Sequence, residues 1–94
     1  MKKLGDCYEV HGEAIALNDE SGLLCHGTVW HSKSGWHGHA WIERGEVVCD
    51  YSNGSINVLS KELYYALGYI KDVKRYSADE ARRMMLKTRH FGAW

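Results

Sequence analysis

Three side chains in the first half of the sequence have the types that acyl transfer by a thiol requires. Cys7 could serve as the nucleophile, His39 as its general base and acid, and Asp50 as the group that orients the imidazole. A thiol becomes a good nucleophile when its pKa is lowered and a base is placed to take its proton. A carboxylate can in turn fix the tautomer of that base. If the three meet in space, the chain is a cysteine-dependent acyl-transfer enzyme.

The segment around Cys7 carries the signals of a helix start. Asp6 is followed three residues later by Glu9, which resembles a capping box, and apolar residues then recur at helical spacing as far as Leu17. We therefore predict a helix from about residue 6 to residue 17 with Cys7 in its first turn. The unpaired N–H groups and the helix dipole at that end favour a thiolate and could also stabilise an oxyanion.

The segments that carry His39 and Asp50 predict a β-hairpin. Alternating residues define one strand at residues 36–43 and a second at residues 47–51, and a short reversal at residues 44–47 joins them. Paired positions in an antiparallel hairpin sum to a constant, so Glu43 pairs with Val48 and Trp41 with Asp50. His39 and Asp50 then share one face as diagonal neighbours, with backbones about 7–8 Å apart, a distance that side chains bridge.

The rest of the chain predicts further strands and two helices around this hairpin. The predicted ranges are a strand at 23–30, a short edge strand at 56–59, a helix at 59–67 ended by Gly68, a strand at 69–76 and a helix at 77–87 that Ser77 caps. We therefore expect an α+β fold. Its N-terminal helix packs on a small antiparallel β-sheet, and a second helix closes the C-terminus.

Composition limits the classes of function. With 94 residues and 45% apolar content, the chain fits one domain over residues 1–94. Its twelve basic and twelve acidic residues balance, so nothing indicates nucleic acid or an anionic membrane as a partner. We find neither a signal-like N-terminus nor an apolar run near the roughly 20 residues of a membrane span. The cytoplasm is therefore the expected compartment. Three irregularly spaced cysteines without a CxxC pair indicate at least one free thiol, and the oligomeric state stays open.

The order of these motifs resembles a known family. A cysteine at a helix start, then Gly38-His39-Ala40-Trp41-Ile42-Glu43, then Val48-Cys49-Asp50, is similar to the papain-like superfamily, especially its transglutaminase-like branch and small bacterial or phage-encoded members. The resemblance covers about residues 6 to 54. It implies a minimal papain-like core in which the Cys7 thiolate attacks an amide or ester carbonyl of a protein or peptide substrate, without a cofactor. Water or an amine would then resolve the acyl-enzyme.

Residues beside the triad have weaker assignments. His26 would line the active-site cleft or bind substrate if its strand pairs beside that of His39. Trp41 lies beside the site, where packing is the simpler role and contact with substrate the functional one. Glu43 is expected to be a solvated strand end, and Cys25 and Cys49 to be packed thiols.

Two other interpretations compete with the enzyme. A non-catalytic interaction domain of the same fold is plausible because so short a chain offers little surface for a substrate groove. Zinc is the second, since the middle of the chain is rich in nitrogen and sulfur ligands, namely Cys25, His26, His31, His37 and His39. These residues lack a paired short spacing such as CxxC with HxxxH, and Cys25 and His26 point to opposite faces of a strand. The aromatic terminus, 90–94, is expected to dock on the domain or to offer a partner surface.

Overall fold

The computed structural model of the protein describes residues 7–18 and 21–94. Within these ranges the chain forms an α+β fold of three α-helices and a five-stranded antiparallel sheet. The elements are α1 Cys7–Gly12, β1 Leu23–His31, β2 Gly35–Arg44, β3 Val47–Asp50, β4 Asn57–Ser60, α2 Lys61–Gly68, β5 Lys71–Tyr76 and α3 Ala78–Thr88. The strand order is β4-β3-β2-β1-β5, so β2 lies at the centre.

The hairpin of β2 and β3 has the predicted register. Glu43 pairs with Val48, and Gly45 in the reversal has a φ of +61°, which glycine adopts without strain. The ladder does not reach the predicted pair of Trp41 with Asp50, because it ends where Ile42 pairs with Cys49. Beyond that pair the two strands separate, and the chain after β3 turns into a short 3-10 helix, Ser52–Gly54.

Helix α1 occupies this region. The described helix begins at Cys7, and the Asp6 of the predicted capping box lies outside the described residues. The predicted helical extent to residue 17 is confirmed, but its second half, Glu13–Leu17, is π-helical and not α-helical. Helix α1 contacts both β2 and the 3-10 helix. Its first residue therefore lies where β2 and β3 diverge.

The sheet buries a separate core on each face, because successive side chains of a strand point to opposite sides. One side, here the α3 face, is covered by the π-helical segment and α3, and its core contains Ile15, Leu24, Ile42, Cys49 and Ala81. The other side, here the α2 face, is covered by α2, and its core contains Cys25, Val29, Trp41 and Val48 with Tyr64 and Tyr65 packed against it. A side chain therefore contacts different elements depending on the face of the sheet to which it points.

The C-terminal part of the chain has the helix cap and the docked terminus that the sequence predicts. Ser77 and Glu80 form a reciprocal capping box at the start of α3, in which each side chain accepts from the other's backbone N–H. After α3 the chain docks on the α3 face, where the Trp94 ring lies 4.9 Å from that of His26 and 5.0 Å from that of Tyr76. The predicted docking of the aromatic terminus is confirmed. In the parts of the chain described, no helix is long and apolar enough to cross a membrane.

Candidate active site

His39 and Asp50 form a hydrogen-bonded pair on the α2 face. Nε2 of His39 lies 3.0 Å from Oδ2 of Asp50, and the two side chains are 17% and 11% exposed. An ionised carboxylate only accepts hydrogen bonds, so Nε2 of the imidazole carries the proton of this bond. The other ring nitrogen, Nδ1, is therefore the one that a nucleophile could use. The predicted same-face arrangement of the two residues is present.

Asp50 is held in a single orientation by its neighbours. Among the described residues, four donors reach its carboxylate: His39 at 3.0 Å and the Tyr64 hydroxyl at 2.6 Å on Oδ2, and the N–H and hydroxyl of Ser52 at 3.0 and 2.6 Å on Oδ1. Burial acts to raise the pKa of Asp50, but the bonds from His39, Ser52 and Tyr64 outweigh it and hold the pKa below its usual range. Asp50 is thus a fixed carboxylate at neutral pH.

Cys7 completes the cluster from the first position of α1. Its side chain is close enough to His39 to raise the pKa of the imidazole, and the residue is 7% exposed. Burial acts to lower the pKa of His39, but hydrogen bonds with Asp50 and Cys7, and attraction to both, raise it to about 9. The imidazole is therefore protonated at neutral pH. The arrangement can hold a thiolate and an imidazolium side by side.

His11 ties the helix that carries Cys7 to the strand that carries Asp50. The backbone N–H of Tyr51 donates to Nε2 of His11 at 2.8 Å, so Nδ1 carries the proton and donates to the carbonyl of Cys7 at 2.7 Å. The ring is fully buried. Sequence analysis missed this residue, although its position four residues after Cys7, one helical turn on, was the available signal.

Trp41 lies behind His39 in the core of the α2 face. The two rings are 6.1 Å apart and inclined by only 26°, and Trp41 is fully buried. Its indole N–H donates to Oε2 of Glu43 at 3.1 Å. This position lets Trp41 support the imidazole by packing, and the predicted contact of Trp41 with substrate does not match its burial.

The prediction that Glu43 is a solvated strand end is wrong. Glu43 is 3% exposed and accepts hydrogen bonds from Trp41, Tyr65 and Arg75, while Nζ of Lys61 lies 3.4 Å from Oε1. Burial acts to raise the pKa of Glu43, but the bonds from Tyr65, Arg75 and Trp41 lower it to about 2. Tyr65 and Lys61 come from α2 and Arg75 from β5, and the local sequence does not reveal that these elements reach Glu43.

A cavity of about 360 Å³ opens on the α2 face beside the pair. His39 and Asp50 both form part of its wall, so a bound molecule would lie against them. Much of the remaining wall is apolar and comes from β1, β4, α2 and the turn after α2, with Val29, Trp30, Leu59, Leu67 and Ile70. The cavity has the size of a small-molecule or side-chain site.

The structure brings Cys7, His39 and Asp50 together but places His26 elsewhere. Gly27, not His26, pairs with His39, so the alternation of β1 points His26 to the α3 face. There it is 5% exposed and lines a separate cavity of about 160 Å³. Neither of its ring nitrogens has a hydrogen-bond partner among the described residues. The predicted position of His26 in the cleft of His39 therefore does not match the structure.

The remaining cysteines are packed thiols, and all three cysteines are free. Cys25 is fully buried, and burial above all raises its pKa to about 12. Cys49 is 4% exposed, and Nη1 of Arg44 donates to its sulfur at 3.4 Å. Across residues 7–18 and 21–94, no group of three or more His, Cys, Asp or Glu side chains is arranged to hold a metal ion.

Comparison with known proteins identifies no relative of this chain. No protein-family model matches the sequence, and no curated protein or solved structure is significantly similar to it. The resemblance to the transglutaminase-like branch stays a prediction that rests on the motifs quoted above. The chemistry of the site is argued below from its own geometry.

Proposed function

We propose that the protein is a cysteine-dependent acyl-transfer enzyme in which Cys7 is the nucleophile, His39 the general acid and base, and Asp50 the orienting carboxylate. One observation carries the proposal: Nε2 of His39 is held by Asp50 at 3.0 Å while Cys7, at the start of α1, is close enough to the same ring to raise its pKa. A nucleophile next to a base that a third group orients is the arrangement that recurs in unrelated acyl-transfer enzymes.

The reaction begins with the thiolate of Cys7 attacking an amide or ester carbonyl. A C–S bond forms, and the carbonyl electron pair moves onto oxygen. N–H groups of the first turn of α1 are the candidates to bind this oxyanion. When the tetrahedral intermediate collapses, His39 gives its proton to the departing amine or alcohol, which leaves a thioester on Cys7.

Hydrolysis of the thioester restores the enzyme. Neutral His39 takes a proton from water as the water attacks the thioester carbonyl, and collapse breaks the C–S bond to release a carboxylic acid and the thiolate. An amine in place of water would give transfer instead. Asp50 keeps its charge through both steps, because its four donors hold its pKa below the usual range.

The proposed fold family is a minimal papain-like core acting on a protein or peptide. Three features support it: a cysteine that starts a helix, a histidine and an aspartate on a central hairpin, and the chain order Cys7, His39, Asp50. We place the reaction in the cytoplasm, where the three free thiols would stay reduced.

Alkylation by iodoacetamide near neutral pH tests the proposal, with mass spectrometry to locate the label. We expect Cys7 to react much faster than Cys25 and Cys49. The His39→Ala variant should lower the alkylation rate of Cys7 by about 100-fold or more, which is the usual effect of losing an acid–base partner. Cys25→Ser is the matched control and should leave the rate at Cys7 unchanged. Equal rates at the three thiols in the folded protein would instead favour a non-catalytic interaction domain.

A further inference from the structure

We propose that the cavity beside His39 binds a bulky apolar side chain of an extended polypeptide substrate, and that an adjoining aromatic surface binds a second apolar side chain. The inference rests on the proposed function, since it names the substrate class of the same site. The adjoining surface consists of Trp30, Trp36 and Tyr69 and is called the aromatic shelf below.

The wall of the cavity is suited to an uncharged group. Val29, Leu59, Leu67 and Ile70 supply apolar surface, and among the described residues that line the cavity there is no Lys or Arg. The one carboxylate in the wall, Asp50, is already engaged by His39, Tyr64 and Ser52. A charged substrate group would therefore lose its hydration here without gaining an ionic partner.

The aromatic shelf continues from the cavity, because Trp30 belongs to the walls of both. The rings of Trp30 and Trp36 lie 5.6 Å apart, and 40% and 49% of these residues are exposed. Tyr69 is 66% exposed. Clustered exposed aromatic residues mark binding surfaces in small proteins, and a surface that adjoins the cavity beside His39 suits the same substrate.

Polar groups in the cavity wall favour a polypeptide over a lipid chain. His31, His37 and Asn57 line the cavity together with the apolar residues. A peptide has amide groups on both sides of each side chain that can bond to such residues, whereas a hydrocarbon chain has no group that can. The separation into a cavity and a shelf likewise suits two side chains of one extended segment.

Binding to the Cys7→Ser protein tests the inference without any chemistry. The probes are two blocked pentapeptides of equal length, one with Leu and Phe two positions apart and one with Ser at both positions. Calorimetry measures the binding of each peptide. We expect the apolar peptide to bind about tenfold or more tightly, the scale of burying one such side chain. Adding Leu67→Ser should weaken it about fivefold.

Leu86→Ser is the matched control, because Leu86 is an exposed leucine of α3 that is 77% exposed against 65% for Leu67. It should leave binding of the apolar peptide unchanged. Equal binding of the two peptides, equal effects of the two leucine variants, or tighter binding of decanoate than of the apolar peptide would overturn the inference. The proposed function can fail while this inference stands. Native protein that binds the apolar peptide selectively but is not alkylated preferentially at Cys7 would contradict catalysis by Cys7 and not peptide binding at the cavity.

Discussion

The imidazole of His39 donates through Nε2 to Oδ2 of Asp50 at 3.0 Å, which leaves Nδ1 as the nitrogen for a nucleophile. This relationship follows from the register of one hairpin. Because Glu43 pairs with Val48, His39 and Asp50 fall on the same face, and the strands separate just beyond Ile42 so that the start of α1 can approach. The site is thus a product of local pairing and of the point where that pairing ends.

The charge of Asp50 should set the protonation of His39. In Asp50→Asn, we expect the pKa of His39 to fall from about 9 towards its ordinary 6.5, because the amide keeps a similar shape without the charge. An NMR titration of the imidazole Hε1 signal measures the change. Asp79→Asn, at a side chain that is 77% exposed, is the control and should leave the His39 titration unaltered. A His39 pKa that stays near 9 in Asp50→Asn would contradict the role of this carboxylate.

His11 should act as a positioning residue for Cys7. His11→Phe leaves the carbonyl of Cys7 and the N–H of Tyr51 without their shared partner, which should cost about 2–4 kcal/mol of unfolding free energy. It should also slow alkylation of Cys7. His11→Gln can still donate and accept, so it should recover part of both losses, and denaturant titration with alkylation rates checks this. Alkylation of Cys7 at the native rate in folded His11→Phe would contradict the positioning role of His11.

Protonation of His26 should destabilise the fold in acid. Burial above all lowers the pKa of His26 from 6.5 to about 4, and Lys74 and His11 act in the same direction. The folded state therefore binds fewer protons than the unfolded state between these values. Stability due to neutral His26 is fully present above pH 6.5 and falls as the pH drops towards 4, by about 3 kcal/mol for a shift of this size.

The comparison of His26→Phe with the native protein isolates this contribution. Denaturant unfolding at pH 7 and pH 4 should show a smaller loss of stability in His26→Phe, because the buried site no longer titrates. His31→Phe, at an exposed position, should lose stability as the native protein does. The same acid sensitivity in all three proteins would show that His26 is protonated in the folded state at no cost.

The buried carboxylate of Glu43 should stabilise the fold through its network. Glu43→Gln keeps an acceptor for Trp41 but loses the ionic partners Arg75 and Lys61, so we expect a loss of about 1–3 kcal/mol. Because the pKa of Glu43 is lowered from 4.5 to about 2, its stabilisation is present above pH 4.5 and is lost as the pH falls through 2. Thermal unfolding at pH 7 measures the loss. Glu46→Gln, in the exposed turn, is the control, and equal effects of the two variants would contradict the network.

The sequence predicts those parts of the structure that depend on local pairing. The register of β2 with β3, the cap of α3 at Ser77 and the shared face of His39 and Asp50 all follow from short-range rules of alternation, turn length and capping. The same rules predict the helical extent after Cys7. They do not distinguish an α-helix from the π-helical turn at Glu13–Leu17, which differs only in the shift of its hydrogen bonds.

The parts that could not be predicted depend on neighbours distant in sequence. Buried Glu43 is bonded by Arg75 of β5, a strand that pairs with β1 at the far edge of the sheet, and no local pattern reveals this contact. The sequence places His26 near His39 on the condition that their strands pair. The strands do pair, but the relative offset of β1 and β2 sets which face each residue occupies. A one-residue difference in that offset moves a side chain to the other face.

The most direct test of the central claim is the mass of the native protein after brief exposure to the p-nitrophenyl ester of N-acetyl-leucine. The account predicts one acetyl-leucyl adduct on Cys7, which disappears as the thioester hydrolyses. Fragment ions must locate it, because tryptic peptide 4–33 contains both Cys7 and Cys25. The account predicts no adduct in Cys7→Ser, and slower formation and decay in His39→Ala. An adduct distributed over Cys25, Cys49 and lysines, or one that forms on Cys7 equally fast without His39, would contradict it.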